Sequence, residues 1–219
     1  MNINVLYEDN HIIAVVKPAG VLSQPDKTGD VSMLDEVKRY LKEKYHKPGN
    51  VFVGLLHRLD RPASGIMLFA KTSKGASRLS EQFRNKTVEK TYQVLVSGKP
   101  AAQKGALKNF LGKDEKSLKA REFENGTEAN LFYEVVRSNK KYSLLKIKID
   151  AGKFHQIRAQ LSMAGMHIVG DVKYKGEKWA QDSIALCATG LSFIMATEDK
   201  RIDLKIDVPK EWEAYLSTQ

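Results

Sequence analysis

Short apolar runs bounded by turn-forming residues recur along the chain and predict strands. The run His11–Val16 is rich in β-branched residues, and it ends at Lys17-Pro18-Ala19-Gly20, where proline and glycine favour a turn. The segment 105–126 is polar and basic, and it is predicted to contain a short strand and a mobile loop. The same criteria predict further strands at residues 51–59, 65–70, 88–96, 129–136, 142–149, 184–194 and 201–206.

Apolar residues at helical spacing predict helices at four places. In the first helix, Leu34, Val37 and Leu41 form an apolar stripe, and Ser32 is a candidate N-cap. The predicted helices cover residues 32–45, 73–84, 155–164 and 212–216. Strands outnumber helices, and several neighbouring strands are joined by short polar turns. The pattern therefore predicts an α+β fold with a mixed, largely antiparallel sheet flanked by helices and loops.

Length and composition favour one folded domain. The chain has 219 residues, of which 42% are apolar and 28% are charged, as in ordinary globular proteins. Neither a repeat nor a linker is visible, so we expect a single domain over residues 1–219, with two lobes of one continuous sheet as the alternative. The single cysteine, Cys187, excludes an internal disulfide and a zinc site built from cysteines. Without a signal peptide or an apolar stretch of about 18 residues, we expect a cytoplasmic protein with no membrane partner.

Basic residues are concentrated in one segment. The whole chain has a net charge of +10, and residues 71–121 contain thirteen basic and four acidic side chains, which leaves +9 in that segment. A local excess of positive charge attracts polyanions, because phosphate contacts release counterions. The segment is therefore either a nucleic-acid contact or a solvated lysine-rich surface, and charge alone leaves both open.

The segment His57–Gly65 (HRLDRPASG) brings one acid into a loop that is rich in arginine. Arg58 and Arg61 flank Asp60, and neighbouring guanidinium groups favour the ionised form of a carboxyl group. An ionised carboxylate is suited to act as a nucleophile. The alternative is a salt bridge that ties the loop to the sheet.

A second candidate lies at the start of the third predicted helix, in Gly152–Arg158 (GKFHQIR). His155 and Arg158 are three residues apart on one helix face, and Arg158 could bind a carboxylate through two hydrogen bonds. The alternative is a solvent-exposed helix edge. His57 and His155 lack the spacing of a metal site, and no carboxylate cluster completes one, so we expect no metal.

Tyr92 is the third candidate. It shares a strand face with Val94 and Val96, so the simplest role is packing in the core with a hydrogen-bonded hydroxyl. Asp60 and Asp171 could form the acid pair of a glycoside hydrolase, but the sequence does not define their separation. The chain contains no glycine-rich loop for a dinucleotide or a phosphate.

Five short blocks resemble, in the family's order, the motifs of the RluA-type pseudouridine synthases. The match extends from about residue 4 to about residue 210. The blocks are Lys17-Pro18-Ala19-Gly20, His57-Arg58-Leu59-Asp60 followed by Ser64-Gly65, Lys90-Thr91-Tyr92, His155-Gln156-Ile157-Arg158 and Gly170-Asp171-Val172-Lys173-Tyr174. One block alone would be weak evidence, but five in order make the resemblance specific.

The resemblance implies isomerisation of uridines in structured RNA, such as rRNA or tRNA, to pseudouridine. It also implies a pseudouridine-synthase catalytic fold and no cofactor. By their positions in the motifs, Asp60 is the nucleophile, Arg158 is its ion-pair partner, and Tyr92 stacks near the target base. Arg58 resembles the arginine that fills the space left when the uridine flips out. The residues expected to contact RNA are His57, Arg58, Arg61, Lys90, Lys153 and His155.

The chain departs from the family's motifs at three places. Residues 151–154 are Ala-Gly-Lys-Phe where the family usually has Thr-Gly-Arg-Thr, Gln160 stands where many members have His, and His167 stands where Pro is common. We expect these departures to affect contacts near the RNA more than the nucleophile, and so to bear on the substrate and not on the reaction. The separate N-terminal RNA-binding module of some relatives is not expected. We expect a monomer that needs no protein partner.

Two other functions are compatible with parts of the sequence. The fold could serve as a non-catalytic RNA-binding or chaperone module, but the joint presence of Asp60, Tyr92 and Arg158 argues against it. An RNA-cleaving enzyme could use His57 and His155 as an acid–base pair. Such an enzyme would break the RNA chain and would not depend on Asp60.

Overall fold

The computed structural model describes residues 2–179 and 183–217. Within these residues the strands are β1 (Asn4–Glu8), β2 (Ile12–Lys17), β3 (Gly54–Leu55), β4 (Ser64–Ala70), β5 (Glu89–Ser97), β6 (Lys104–Asp114), β7 (Lys119–Glu122), β8 (Thr127–Ser138), β9 (Tyr142–Ile149), β10 (Leu186–Ile194) and β11 (Arg201–Lys205). The helices are α1 (Met33–Lys44), α2 (Ser73–Arg84), α3 (Gln156–Met163) and α4 (Glu213–Leu216). Within this described part of the chain, no helix combines the length and the apolar content needed to cross a bilayer.

The chain divides into two compact units. The first comprises residues 1–89 and 190–206, and the second comprises residues 90–189 and 207–219. Strand β10 contributes residues to both. The strand pairings within the units are antiparallel, and helices accompany the sheet. The prediction of an α+β fold with a mixed, largely antiparallel sheet is confirmed.

The first unit is built on the strand order β1-β2-β4, with β3 paired to β4 and β11 paired to β10. Alternate residues of β2 and β4 point to one face, as the period of two in a strand requires. That face is closed by Leu79 of α2, which is fully buried. The core of this unit contains Ile12, Ala14, Ile66, Leu68, Leu79, Val88, Leu191, Phe193 and Ala196.

Helix α2 begins in close contact with the loop before β2. Thr72 Oγ1 accepts a hydrogen bond from the Gly75 amide (3.1 Å) and lies 2.9 Å from His11 Nδ1. A Cβ atom on Gly75 would lie 2.5 Å from the carbonyl oxygen of His11. Only glycine therefore allows this approach, which places the apolar face of α2 against the sheet.

The second unit is built on the strand order β5-β9-β8-β6-β7, and α3 packs against β6, β7 and β8. The prediction of a short strand and a mobile loop over residues 105–126 is wrong, because β6 and β7 form an antiparallel hairpin there. Alternate residues of β6 are exposed, and the exposed positions include Lys104 and Lys108. This polarity concealed the strand, since lysines occupy the solvent-facing positions that alternate with positions turned inward.

Two other strand predictions differ from the structure. Strand β1 was not predicted, and the strand predicted over residues 51–59 is paired with β4 only at Gly54–Leu55. Val51 and Val53 are buried, so the segment is apolar without being a full strand. Its last residue, Leu59, is instead held by hydrogen bonds to the side chain of Ser23.

A cluster of ionic and aromatic side chains joins β1 to α1 and to the end of β4. The carboxylate of Glu8 accepts hydrogen bonds from Lys44 Nζ (2.7 Å), Lys71 Nζ (2.6 Å) and the hydroxyl of Tyr45 (2.7 Å). Burial acts to raise the pKa of Glu8, but hydrogen bonds from these three groups outweigh it and lower the pKa to about 2. The cluster therefore stabilises the ionised carboxylate.

Replacing Glu8 with Gln should lower the free energy of unfolding at neutral pH by roughly 1–3 kcal/mol, because two ammonium groups lose their carboxylate. The pKa in the folded protein lies below the ordinary value of 4.5. The stabilisation is therefore complete above pH 4.5 and is lost as the pH falls toward 2. In urea unfolding, wild type and Glu8→Gln should converge on acidification. A pH-independent difference would contradict this, and Glu43→Gln, an exposed carboxylate on α1, is the control.

Candidate active site

Asp60 is half-buried in the loop between β3 and β4, in the first unit. Two hydrogen bonds tie this loop to the turn after β2. The Gly20 amide donates to the Arg61 carbonyl (2.8 Å), and Arg61 Nε donates to the Gly20 carbonyl (3.0 Å). Gly20 has a φ of +83°, which favours glycine. The loop is thus fastened immediately after Asp60.

A buried serine holds the residue before Asp60. Ser23 Oγ donates a hydrogen bond to the Leu59 carbonyl (2.7 Å), and the Leu59 amide donates to Ser23 Oγ (3.1 Å). These bonds satisfy backbone groups that a strand would otherwise have paired. This explains why the predicted strand stops short, and it fixes the backbone on the other side of Asp60.

Lys17, at the end of β2, is fully buried and anchors the same loop. Its Nζ donates to the carbonyls of Pro18 (2.9 Å), Val21 (2.7 Å) and Arg61 (3.0 Å), which match the three donors of an ammonium group. Burial lowers the pKa of Lys17 to about 7, and the charge of the Asp60 carboxylate opposes that decrease. The sequence indicates only a turn at this position, whereas burial and the three acceptors identify an anchor.

The two arginines that flank Asp60 lie at the surface. Arg58 is exposed, as a residue that contacts RNA must be. Arg61 Nη2 forms an ion pair with Asp30 (2.7 Å) in addition to its bond to the turn after β2. Arg61 therefore helps to shape the loop, and its contact with RNA stays a prediction, as does that of Arg58.

His57 packs within the first unit. Its Nε2 accepts a hydrogen bond from the Leu68 amide (3.0 Å), and its ring stacks on Phe83 with centroids 5.0 Å apart. An accepting Nε2 carries no proton, so this bond selects the tautomer protonated on Nδ1. The structure gives His57 a role in supporting the sheet, and its contact with RNA stays a prediction.

Arg158, on α3 in the second unit, is buried and forms a two-point ion pair with Asp171. Nε lies 2.7 Å from Oδ2 and Nη2 lies 2.8 Å from Oδ1 of that carboxylate. The exposed fractions of the two side chains are 5% and 1%. Of the two possibilities that the sequence left open, the structure shows the bidentate carboxylate contact, with Asp171 as a partner, and not a solvent-exposed helix edge. Its pairing with Asp60 stays a prediction.

Asp171 lies in a tight turn. Gly170 before it has a φ of +85°, and the Asp171 carbonyl accepts hydrogen bonds from the amides of Tyr174 (2.9 Å) and Gly176 (2.8 Å). A Cβ atom on Gly176 would lie 2.0 Å from the Ile168 carbonyl oxygen. Sequence reasoning found this block but gave Asp171 no role toward Arg158. The available signal was a lone acid between two glycines.

Tyr174 and His155 form a hydrogen-bonded unit beside Arg158. The Tyr174 hydroxyl accepts from the Ala120 amide (2.6 Å) and lies 2.9 Å from His155 Nδ1. The Arg158 guanidinium carbon lies 5.0 Å from the centroid of the Tyr174 ring. His155 has a φ of +49°, a left-handed conformation that is uncommon for residues other than glycine. These contacts hold the first turn of α3 against β7.

The remaining predicted residues also lie in the second unit. Tyr92 is buried in β5 opposite Ile147 of β9, so it packs in the core as its strand pattern indicates. Lys90 is half-buried at the start of the same strand, and Lys153 is exposed before α3. Stacking of Tyr92 near a target base stays a prediction, as do RNA contacts of Lys90, Lys153 and His155.

Gln160, one of the departures from the family motifs, is buried and holds α3 to the sheet. Its Nε2 donates to the carbonyls of Leu107 (3.2 Å) and Ala129 (3.0 Å), and its Oε1 accepts from Gln156 Nε2 (3.1 Å). These partners belong to β6, β8 and α3. The departure therefore places a residue that links α3 to β6 and β8, and its effect on contacts near the RNA stays a prediction.

Several lysines of the basic segment, residues 71–121, form ion pairs in the structure. Three of its exposed lysines pair with carboxylates: Lys104 with Glu134 (2.9 Å), Lys108 with Glu128 (3.0 Å) and Lys113 with Glu115 (2.7 Å). Two of these acids lie on β8, outside the segment. Cross-strand pairing therefore offsets part of the charge that the sequence concentrates there.

The predicted residues divide between the two units. Asp60, His57, Arg58 and Arg61 belong to the first, and Tyr92, Lys90, Lys153, His155 and Arg158 belong to the second. Among residues 2–179 and 183–217, no group of three His, Cys, Asp or Glu side chains is placed to hold a metal ion.

Comparisons with known proteins assign the family. The family model described as RNA pseudouridylate synthase matches residues 11–163. The uncharacterized RNA pseudouridine synthase YhcT of Bacillus subtilis is 30% identical over 99% of this chain and 72% of its own length. Ribosomal large subunit pseudouridine synthase C of Rickettsia bellii is 35% identical over 80% of this chain and 57% of its own length. Synthase D of Zymomonas mobilis is 26% identical over 96% of this chain and 71% of its own.

Solved structures share the fold. The human protein RNA pseudouridylate synthase domain containing 4 matches with a TM-score of 0.78 at 20% identity, over 96% of this chain and 90% of its own. The human protein RNA pseudouridylate synthase domain containing 1 matches with a TM-score of 0.77 at 21% identity, over 95% of this chain and 84% of its own. At this identity the likeness shows the fold alone, and it agrees with the predicted catalytic fold. The family model covers most of the chain, and YhcT is 30% identical over nearly all of it. The chain therefore belongs to the RNA pseudouridine synthases, the isomerases that convert uridine in RNA to pseudouridine.

Proposed function

We propose that this chain isomerises uridine with Asp60 as the nucleophile and with Arg158 and Tyr92 completing the catalytic set. The observation that carries the proposal is the fastening of the Asp60 loop by Ser23 and Lys17. A catalytic group must be held within about 0.5 Å of its productive position by its surroundings. These bonds fix the backbone on both sides of Asp60, which limits where its half-buried carboxylate can lie.

The reaction suits an ionised carboxylate. It breaks the bond between N1 of uracil and the ribose, rotates the uracil and joins the ribose to C5. C5 loses a proton and N1 gains one, so the product is an isomer of the substrate and no oxidant or reductant is needed. A base in folded RNA must first leave its stack, which costs a few kcal/mol. Stacking on an aromatic ring or on a guanidinium plane offsets this loss. Tyr92 and Arg58 are the groups that we propose for these two contacts.

Arg158 is oriented by Asp171 in this proposal. The bidentate pair uses Nε and Nη2 and fixes the plane of the guanidinium group. Asp171 is therefore a positioning residue, which acts through Arg158 and not on the base. His155 and Tyr174 support the same helix start from the other side.

We propose ribosomal RNA as the substrate, and we also propose that the chain acts as a cytoplasmic monomer. The support for the rRNA substrate is that two relatives are named ribosomal large subunit pseudouridine synthases. Mapping pseudouridines in the rRNA and tRNA of cells with and without the gene tests this. Sites lost from rRNA and restored by the wild-type gene support the proposal, and sites lost only from tRNA contradict the substrate.

The RNA-cleaving alternative is disfavoured by the two histidines it would use. His57 Nε2 accepts a backbone hydrogen bond, and His155 Nδ1 is paired with the Tyr174 hydroxyl. Both rings thus already use one nitrogen within the protein. Gel analysis of the RNA after reaction separates the activities, because isomerisation leaves the chain intact.

The hairpin of β6 and β7, residues 104–122, is rich in lysine and should contribute to RNA affinity. Replacing Lys104, Lys108, Lys113 and Lys116 with Gln should weaken RNA binding, because phosphate contacts are lost and the acids of β8 lose their partners. Each lost contact should reduce the slope of log K against log salt by roughly 0.7 to 0.9. Titration of RNA at several salt concentrations measures the slope.

The control removes the same charge from the first unit, where Lys27, Lys38, Lys42 and Lys200 are exposed. Equal slopes for the two quadruple variants would show that the hairpin lysines contribute only net charge.

A further inference from the structure

Phe154, directly before α3, presents an aromatic ring to solvent. It is 42% exposed, although its ring stacks on that of His155 with centroids 3.8 Å apart and planes 19° apart. One face of the ring is therefore packed, and much of the side chain remains accessible. What distinguishes Phe154 from an ordinary exposed apolar side chain is that its ring is held in a stack by a neighbouring ring.

Hydrogen bonds anchor the stack beneath Phe154. His155 Nδ1 lies 2.9 Å from the Tyr174 hydroxyl, and that hydroxyl accepts the Ala120 amide (2.6 Å). Tyr174 is buried, so the three rings lead from the surface into the unit. A planar ligand that stacks on Phe154 would thus bind a preformed surface and would order little of the protein.

Cations border this ring. Lys113 Nζ lies 5.8 Å from the Phe154 ring centroid while pairing with Glu115, and Lys153 is exposed next to it in the chain. Lys119 Nζ lies 6.0 Å from the Tyr174 ring centroid. An aromatic face with ammonium groups around it matches a nucleobase joined to phosphates.

We propose that Phe154 is a stacking platform for an unpaired nucleobase of the substrate RNA, with Lys113 and Lys153 contacting the adjoining phosphates. The proposal rests on the proposed function only in taking RNA as the ligand. In the family resemblance this position usually holds threonine, which has no ring to stack. The platform is therefore a feature of this chain that would contribute to its choice of RNA.

Binding of two oligomers separates stacking from charge. Oligouridylate carries bases and phosphates, whereas an abasic oligomer of the same length carries only the sugar–phosphate chain. Phe154→Leu should weaken oligouridylate binding by about fivefold to about a hundredfold, as expected for one lost base–aromatic stack. It should leave abasic binding and the salt slope as in the wild type, because stacking releases no counterions.

A matched control uses Phe52, which is 53% exposed and lies in the first unit, whereas the lysines proposed to contact RNA belong to the second. Phe52→Leu should change neither oligomer's affinity. Phe154→Trp keeps the ring and should retain affinity, and its fluorescence should be quenched by oligouridylate beyond any quenching of the buried Trp179 and Trp212 in the wild type.

Three results of the binding experiments would overturn the proposal. These are unchanged oligouridylate affinity in Phe154→Leu, equal weakening toward both oligomers, or no added quenching in Phe154→Trp. These binding measurements require no turnover and can be made in an Asp60→Asn background. A wrong assignment of the nucleophile would therefore leave the test of the platform intact. With full-length RNA, Phe154→Leu should raise KM more than it lowers kcat. A fall in kcat alone would contradict the platform, because it would mean that Phe154 acts by supporting Arg158 through His155.

Discussion

Replacing Asp60 with Asn should reduce pseudouridine formation below detection while the protein remains folded. The amide has nearly the shape of the carboxylate but lacks the charge that a nucleophile needs. The bonds from Ser23, Lys17 and Gly20 all end on backbone atoms, so the loop stays fastened. The buried Lys17 loses the attraction of the carboxylate, which should lower stability by about 1 kcal/mol.

Pseudouridine mapping of RNA after reaction with the purified variant measures this outcome. Circular dichroism and urea unfolding confirm that the variant is folded, and retained RNA affinity separates lost chemistry from lost binding. Asp199→Asn, which changes an exposed acid of the first unit, is the matched control. Measurable turnover by pure Asp60→Asn would overturn the assignment of the nucleophile, whatever the family.

Replacing Arg158 with Met should remove activity and lower the free energy of unfolding by about 3–5 kcal/mol. The reason is that Asp171, whose side chain is 1% exposed, would keep a charge without its guanidinium partner. Asp171→Asn should be destabilising for the reciprocal reason, and it should lower activity because Arg158 loses its orientation. Arg158→Lys should restore little, since an ammonium group cannot form the two parallel bonds.

A double-mutant cycle measured by urea unfolding tests the coupling. The pair Arg158→Met and Asp171→Asn should lose less stability than the sum of the single variants, because neither charge is then left alone. Activity should stay lost in the double variant. Additive losses would mean that the ion pair contributes nothing to the fold. A parallel cycle with Asp60→Asn tests the predicted pairing of Arg158 with the nucleophile.

Local pattern was sufficient for most elements of the fold. A continuous apolar run marks β4, alternation of apolar residues marks β9, and the apolar stripe and the Ser32 cap of α1 are visible in the sequence. The hairpin of β6 and β7 was missed, because its outer positions carry lysines that resemble a loop. In the structure those lysines occupy solvent-facing positions of β6, and Glu134 and Glu128 of β8 pair with two of them. That pairing depends on register, which no local window contains.

The sequence alone specifies the chemistry available to this protein: one acid among arginines, an arginine at the start of a helix, and the motif order that indicates the family. The tertiary structure decides which groups meet. Arg158 binds an acid 13 positions away, Lys17 anchors a carbonyl 44 positions away, and the Tyr174 hydroxyl accepts an amide 54 positions away. Residue spacing encodes neighbours along one strand or helix, because those have fixed periods. Partners across loops and strands follow from burial, since a buried charge or hydrogen-bonding group must find whatever complement the fold brings to it.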